Sequence, residues 1–199
     1  MTKRLILASK SSARRRMLEN AGVTFEAVPA RIDEEMVRQS MLAEAHGARD
    51  VADALAELKA VKVSEQTPGA LVLGSDQVLE FDGAILAKPA SPAEAIARLT
   101  AMRSRTHTLY TAAVIAEDGT PVWRQVNRAR MTMHDLSQNY LEAYVTRNWT
   151  SIRETVGAYK LEEEGVRLFS GIDGDFFSIL GLPIIAVLSF LTVRGDIET

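Results

Sequence analysis

Two Asp-Gly pairs constrain this chain more than any other feature of its sequence. Asp82-Gly83 separates residues 78–81 from 84–86, and Asp118-Gly119 separates residues 106–116 from 122–133. Asp-Gly suits the tight primed turn whose twist matches that of two antiparallel strands. The flanking runs are rich in Val, Ile, Thr and aromatic residues, as strands are. Any fold for this chain must therefore accommodate two hairpins.

Elsewhere strands lead into helices. Residues 3–8 read as a buried strand, and Ser9–Ser12 as a polar turn of helix-capping residues. Residues 13–20 form a short helix closed by Gly22, and residues 25–28 a second strand. Residues 50–65 carry apolar side chains at helical spacing until Pro68-Gly69 breaks them. Residues 71–73 are a short apolar strand with Gly74-Ser75-Asp76-Gln77 at its end. Pro92–Met102 is a helix capped by Ser91, and residues 137–147 a helix capped by Ser137. Hairpins combined with strand–helix units imply an α/β domain with a mixed sheet, taken as one domain over 1–199.

Residues 176–193 carry no charge and approach the length of a membrane span. Gly181 and Pro183 interrupt them, so 179–182 read as a buried entry and 183–193 as a core helix whose first turn holds Pro183. No membrane association is expected. The apolar run near the N-terminus is too short for a secretory signal. A formal net charge of -3 supplies no broad basic field, which argues against a nucleic-acid partner. With no cysteine there is no disulfide framework, thiolate zinc site or Cys nucleophile, and a reducing cytoplasm is compatible. His46, His107 and His134 lack metal-ligand spacing, and neither a Walker loop nor a G-x-S-x-G elbow is present.

Five places carry possible chemistry. Ser9, Ser11 and Arg14 stand where a strand enters a helix, and a helix N-terminus attracts anions. Asp76 could ligate a divalent ion or take a proton from water. Lys88, held extended by Pro89, could neutralise a phosphate. Asp33-Glu34-Glu35 form an acidic loop whose oxygens suit magnesium. Lys59, with Lys62 nearby, lies on the second helix. Each has a bland alternative: a capped helix with solvated arginines, a turn aspartate, a solvated acidic loop, ordinary surface lysines.

The ordered set LILASKSSARRRML, DE, the helical KA, GSDQVLEFDGAILAKP, RTHTLYT, GAY and GLPI resembles the Maf family over nearly the whole chain. That resemblance implies a nucleoside triphosphate pyrophosphatase, a house-cleaning enzyme that releases a nucleoside monophosphate and pyrophosphate. It implies an elongated α/β fold like that of the ITPases, with a central mixed sheet and a nucleotide cleft between two lobes. It also implies a cytoplasmic homodimer using magnesium or manganese (Mg2+ or Mn2+). By the same resemblance Arg14, Ser9 and Ser11 bind phosphate, Asp76 accepts the proton, Lys59 and Lys88 assist, and Glu34 joins Asp76 as a metal ligand. Ala87, Ser104, Ala112 and Ser178 depart from the family's usual glycines and asparagine.

Gln77 and Glu162 resemble the branch that acts on 7-methyl-GTP, whereas the branch acting on dTTP and UTP carries threonine and glutamine there. Ala13 lacks the aromatic that could stack on a methylated base. Three rivals stand beside this reading: a pyrophosphatase for dTTP and UTP, a non-catalytic nucleotide-binding regulator of cell division, and a structural or interaction module with no nucleotide site.

Overall fold

The computed structural model describes residues 3–198. Strand β1 (Leu5–Leu7) pairs in parallel with β2 (Glu26–Ala27) on one side and β3 (Leu71–Phe81) on the other, with Leu5, Ile6 and Leu7 opposite Leu71, Val72 and Leu73. Side chains alternate across a strand, so a strand apolar at every position must be buried on both faces. That is the case here. Leu5, Leu7, Leu71 and Leu73 enter one apolar cluster, while Ile6, Ala8, Val72 and Ala70 enter another.

The first cluster is covered by helix α1 (Ser12–Asn20), through Met17 and Leu18, and by α7 (Ile184–Arg194), through Ile184, Val187 and Leu191. Ser11 caps α1, and Gly22 stands just beyond its end at φ +70°. The second cluster is met by Val63 of α3 (Ala48–Ser64). The chain sorts into two compact units. The first comprises the chain up to Gln77, Thr111–Asn127 and everything from Asp175 onward; the second comprises Val78–Tyr110 and Arg128–Gly174.

In the second unit β4 (Ala84–Leu86) pairs antiparallel with Leu79, Glu80 and Phe81 of β3. The long strands β5 (Thr106–Glu117) and β6 (Thr120–Met133) contribute to both units, and β7 (Phe169–Asp173) pairs antiparallel with the end of β6. Helices α4 (Pro92–Met102) and α5 (Gln138–Ile152) pack on each other, capped by Ser91 and Ser137 as expected. Both Asp-Gly pairs take left-handed backbone, Asp82 and Gly83 at φ 53° and 75°, Asp118 and Gly119 at 48° and 77°, as a primed turn requires. Ser104, in a place where glycine was expected, also lies at φ 57°. The fold is the mixed α/β one expected.

Four expectations need correction. Asp33-Glu34-Glu35 is not a loop: Asp33 accepts a hydrogen bond from the Met36 N–H, and Glu34 and Glu35 form the first turn of α2 (Glu34–Ala43). Acidic side chains suit the positive end of a helix, and that favours the turn over a solvated loop. β3 does not end at Leu73 but runs on through Gly74-Ser75-Asp76-Gln77 to Phe81. α5 extends to Ile152, beyond 147. α7 begins at Ile184 with Pro183 as its cap, and it is half-buried rather than a core helix, with Ile185 and Val193 exposed. Among the described residues no helix is long and apolar enough to cross a membrane.

Candidate active site

The site in the first unit depends on one glycine in β3. A Cβ at Gly74 would lie 2.2 Å from the Ala56 carbonyl oxygen and 2.6 Å from the Ala60 nitrogen, so only glycine lets α3 approach the strand this closely. The glycine marks a close approach of two backbones, not a turn. Gly74 shares its strand face with Val72 and Asp76. Lys59 lies one residue from Ala60 on the approaching helix, and the close packing brings it to Asp76.

Lys59 Nζ stands 2.6 Å from Asp76 Oδ1 and 2.9 Å from Glu34 Oε1. Lys59 and Asp76 are buried, while Glu34 is exposed at the start of α2. Lys59 is thus no ordinary face residue. An ammonium this buried is stable only when paired, and here it has two carboxylates. Loss of solvation raises the Asp76 carboxyl above its ordinary value, outweighing the attraction of Lys59 and Arg14.

Arg14 arrives from the opposite side of the sheet, on α1. It is buried, its Nη1 donates to Ser9 Oγ at 3.1 Å, and its Nε donates to the Gly181 carbonyl at 2.7 Å. Burial lowers its pKa, although Asp76 and Glu34 both favour the charged guanidinium. Ser11 Oγ accepts from the Arg14 N–H, and Ser9 Oγ from the Ser11 N–H. The two serines therefore hold the start of α1. Ala13 is half-buried beside Arg14.

The structure brings Ser9, Ser11, Arg14, Glu34, Lys59 and Asp76 into this one unit. Gln77 belongs to it as well, on the strand face opposite Asp76. Its Nε2 donates to Thr111 Oγ1 at 2.9 Å and to the carbonyls of Ser178 and Ile179, each at 3.0 Å. Lys88 and Glu162 belong to the second unit. Lys88 is exposed in the extended segment before the buried Pro89, with its ammonium 3.5 Å from Glu154 Oε2. Glu162 is exposed in the turn after Gly157-Ala158-Tyr159.

Sequence reasoning missed Gly181, Ser75 and Thr111. Ser75 Oγ donates toward the Ala112 and Gly181 carbonyls, at 2.8 and 3.0 Å, and Thr111 Oγ1 donates to the Ser178 carbonyl at 2.8 Å. The Gly-Leu-Pro at 181–183 was the available signal, because a glycine before such a segment often marks a special backbone angle; Gly181 sits at φ +111°. Among the described residues no group of three or more His, Cys, Asp or Glu gathers as a metal cage. Hard oxygen donors for a cation would come from Asp76 and Glu34.

A family model described as "Maf-like protein" matches residues 4–194. The nucleoside triphosphate pyrophosphatase of Roseobacter denitrificans is 58% identical over 197 residues, covering 99% of each chain. The protein of the same name from Ruegeria pomeroyi is 56% identical over 199 residues, covering 100% of each chain. Among solved structures, a HAM1 protein from Coxiella burnetii aligns with a TM-score of 0.44 at 17% identity, over 67% of this chain and 74% of that one.

Proposed function

We propose that this chain, which belongs to the Maf-like protein family, is a nucleoside triphosphate pyrophosphatase that releases a nucleoside monophosphate and pyrophosphate. The observation that carries the reading is the Lys59 ammonium held between the Asp76 and Glu34 carboxylates, with the Asp76 carboxyl raised by burial. A carboxylate whose pKa is raised towards neutrality is a better proton acceptor than a solvated one, as long as it stays ionised at the working pH.

The charges of Arg14, Lys59, Asp76 and Glu34 cancel, two against two. A triphosphate adds several negative charges, so its binding calls for further cations. A divalent ion is one source, and the residues fit it: magnesium takes one or two carboxylates and fills its remaining positions with water and substrate phosphate. Asp76 and Glu34 would hold such a magnesium or manganese ion, which supplies positive charge against the phosphate oxygens when bound.

The chain's own residues do the rest. Arg14, fixed through Nε and Nη1, offers its guanidinium to phosphate oxygens, with Ser9, Ser11 and the N–H groups of α1 beside it. The oxygen of a water molecule bonds to phosphorus as the phosphoanhydride P–O bond breaks. Its proton passes to the Asp76 carboxylate, and pyrophosphate leaves with the bridging oxygen. Lys59 keeps the two carboxylates together and limits the cost of burying Asp76 as an anion.

For the base, a Glu162 carboxylate can accept from guanine N1–H and the 2-amino group, whereas thymine and uracil offer one ring donor. This favours 7-methyl-GTP or another purine triphosphate, with the preference broadened because Ala13 gives no stacking surface. The test is pyrophosphate release from 7-methyl-GTP, GTP, dTTP and UTP. No release from any of them would leave the non-catalytic readings, which nucleotide-dependent thermal stabilisation in the presence of metal tells apart. If dTTP and UTP lead, and Glu162→Gln leaves that ranking unchanged, Glu162 does not read the base.

A further inference from the structure

The turn at 178–181 gathers more buried donors than its own backbone needs. Its carbonyls at Ser178 and Ile179 receive Gln77 Nε2, and the one at Ser178 also receives Thr111 Oγ1 and the Gly181 N–H, the last at 3.0 Å. Two backbone carbonyls can only accept, so the end of the Gln77 amide that faces them must be the NH2 group. The orientation of this amide is settled by its partners. Thr111 Oγ1 spends its proton on the Ser178 carbonyl and is left to accept from Gln77.

The rest of the turn is pinned as firmly. Ser178 Oγ donates to Asp175 Oδ2 at 2.6 Å and accepts from Asn127 Nδ2 at 2.9 Å. Asp175 Oδ2 also accepts the Ser178 N–H at 2.7 Å. The turn closes with Gly181 at φ +111°, a conformation that side chains beyond glycine rarely adopt. What this clamp presents is the Gly181 carbonyl, which accepts from Arg14 Nε at 2.7 Å and from Ser75 Oγ.

We infer that Gln77, with Thr111, is a positioning residue for Arg14: it locks the 178–181 turn so that the Gly181 carbonyl holds the guanidinium in its phosphate-binding pose. The inference rests on the proposed role of Arg14 as a phosphate ligand. It gives Gln77 a task different from reading the base. Gln77 lies on the strand face opposite the acid Asp76, and its amide nitrogen is engaged with the protein. Arg14 lies on that same side, one turn of backbone away. A clamp of this kind is required because Arg14 comes from α1 while Lys59 and Asp76 meet on the other face. Sub-ångström placement of such a group decides how well it meets developing charge.

The experiment uses Gln77→Met, Thr111→Val, Arg14→Ala and the Gln77→Met/Arg14→Ala double variant. Each is checked for folding by its thermal melt. kcat/KM is measured on 7-methyl-GTP, GTP, dTTP and UTP, and the exchange rate of the Arg14 Nε–H is followed by NMR. Gln77→Met is expected to lower kcat/KM by about 10-fold on all four nucleotides alike, the scale of a misplaced positioning group. It should add little to Arg14→Ala, and should speed Arg14 Nε–H exchange by at least about 10-fold as the bond to Gly181 loosens. Thr111→Val repeats the pattern more weakly, and serves if Gln77→Met does not fold. A changed ranking of the four nucleotides would make Gln77 a base reader and overturn the inference. So would full additivity with Arg14→Ala, or unchanged Nε–H exchange. If the wild-type protein releases no pyrophosphate from any nucleotide, the activity reading fails, and the exchange rates alone still decide the clamp.

Discussion

His107 ties the stability of the second unit to pH. It is buried, its Nε2 meets the Tyr159 hydroxyl at 2.7 Å, and its Nδ1 has no hydrogen-bond partner among the described residues. Tyr159 and Phe169 enclose its ring. Nothing there solvates a charge, and burial lowers its pKa from the ordinary 6.5 to about 4. The folded protein therefore keeps His107 neutral while the unfolded chain takes up a proton. The stabilising effect is complete above pH 6.5 and is lost as the pH falls towards 4. At about 1.36 kcal/mol per pKa unit, the whole gap amounts to about 3 kcal/mol, of which about 2 kcal/mol is gone by pH 5. For a chain of this size that lowers Tm by roughly 4–8 °C. The control is His107→Gln, which can still bond Tyr159 but does not titrate. Thermal and urea melts of both proteins from pH 7.5 to 5 isolate the histidine from the carboxylates they share. The wild-type protein should lose about 2 kcal/mol relative to the variant over that range. A wild-type-minus-variant difference that stays constant with pH would refute the reasoning.

Asp76→Asn should fold and lose at least about 100-fold in turnover, measured by pyrophosphate release, because a proton acceptor is gone. In the metal-free protein, loss of solvation should leave the Asp76 carboxyl titrating above its ordinary value, checked by carboxyl NMR shifts of the wild-type protein against Asp76→Asn. Lys59→Ala leaves two carboxylates without their ammonium and should cost about 3 kcal/mol in urea melts. Gly74→Ala drives a methyl into the backbone of α3 and should destabilise by about 3 kcal/mol while reducing activity, since Lys59 and Asp76 are pushed apart. Thorough chelation should abolish pyrophosphate release, and added magnesium or manganese should restore it.

The hairpins, the capped helices and the two-faced burial of β1 were legible because each rests on a local rule: a turn that needs positive φ, a side chain that caps, an unbroken apolar run. The length of β3 was not. Gly74 reads locally as a breaker, and only the helix packed on it reveals a strand. α2 was missed because its acidic start, Asp33-Glu34-Glu35, reads as a solvated loop, and no residue of the helix is buried to tie it to the core. For the site, residue types at 14, 34, 59 and 76 were legible through a family resemblance. Their arrangement was not, because the Lys59 bridge depends on contacts between segments far apart in the chain. The commitment of Gln77 to the carbonyls of Ser178 and Ile179 was equally invisible, since a glutamine beside an acid looks the same whether it faces a ligand or a backbone.

The bond from Arg14 to the Gly181 carbonyl also bears on how the protein is made. The first unit is interrupted twice in sequence, and 167 residues separate the arginine from the carbonyl that holds it. Synthesis runs from the N-terminus, and domains tend to fold as their residues emerge. Residues 128–174 of the second unit are synthesised before residue 181 exists. Through that interval the α1 guanidinium has no Gly181 acceptor, and the apolar faces of β1 and β3 wait for Leu182, Ile184 and Val187 to cover them. A nascent chain halted before residue 181 can hold the aspartate, the lysine and the glutamate of the site, yet its arginine remains unanchored. Competence arrives late and all at once, with the last turn of backbone before α7.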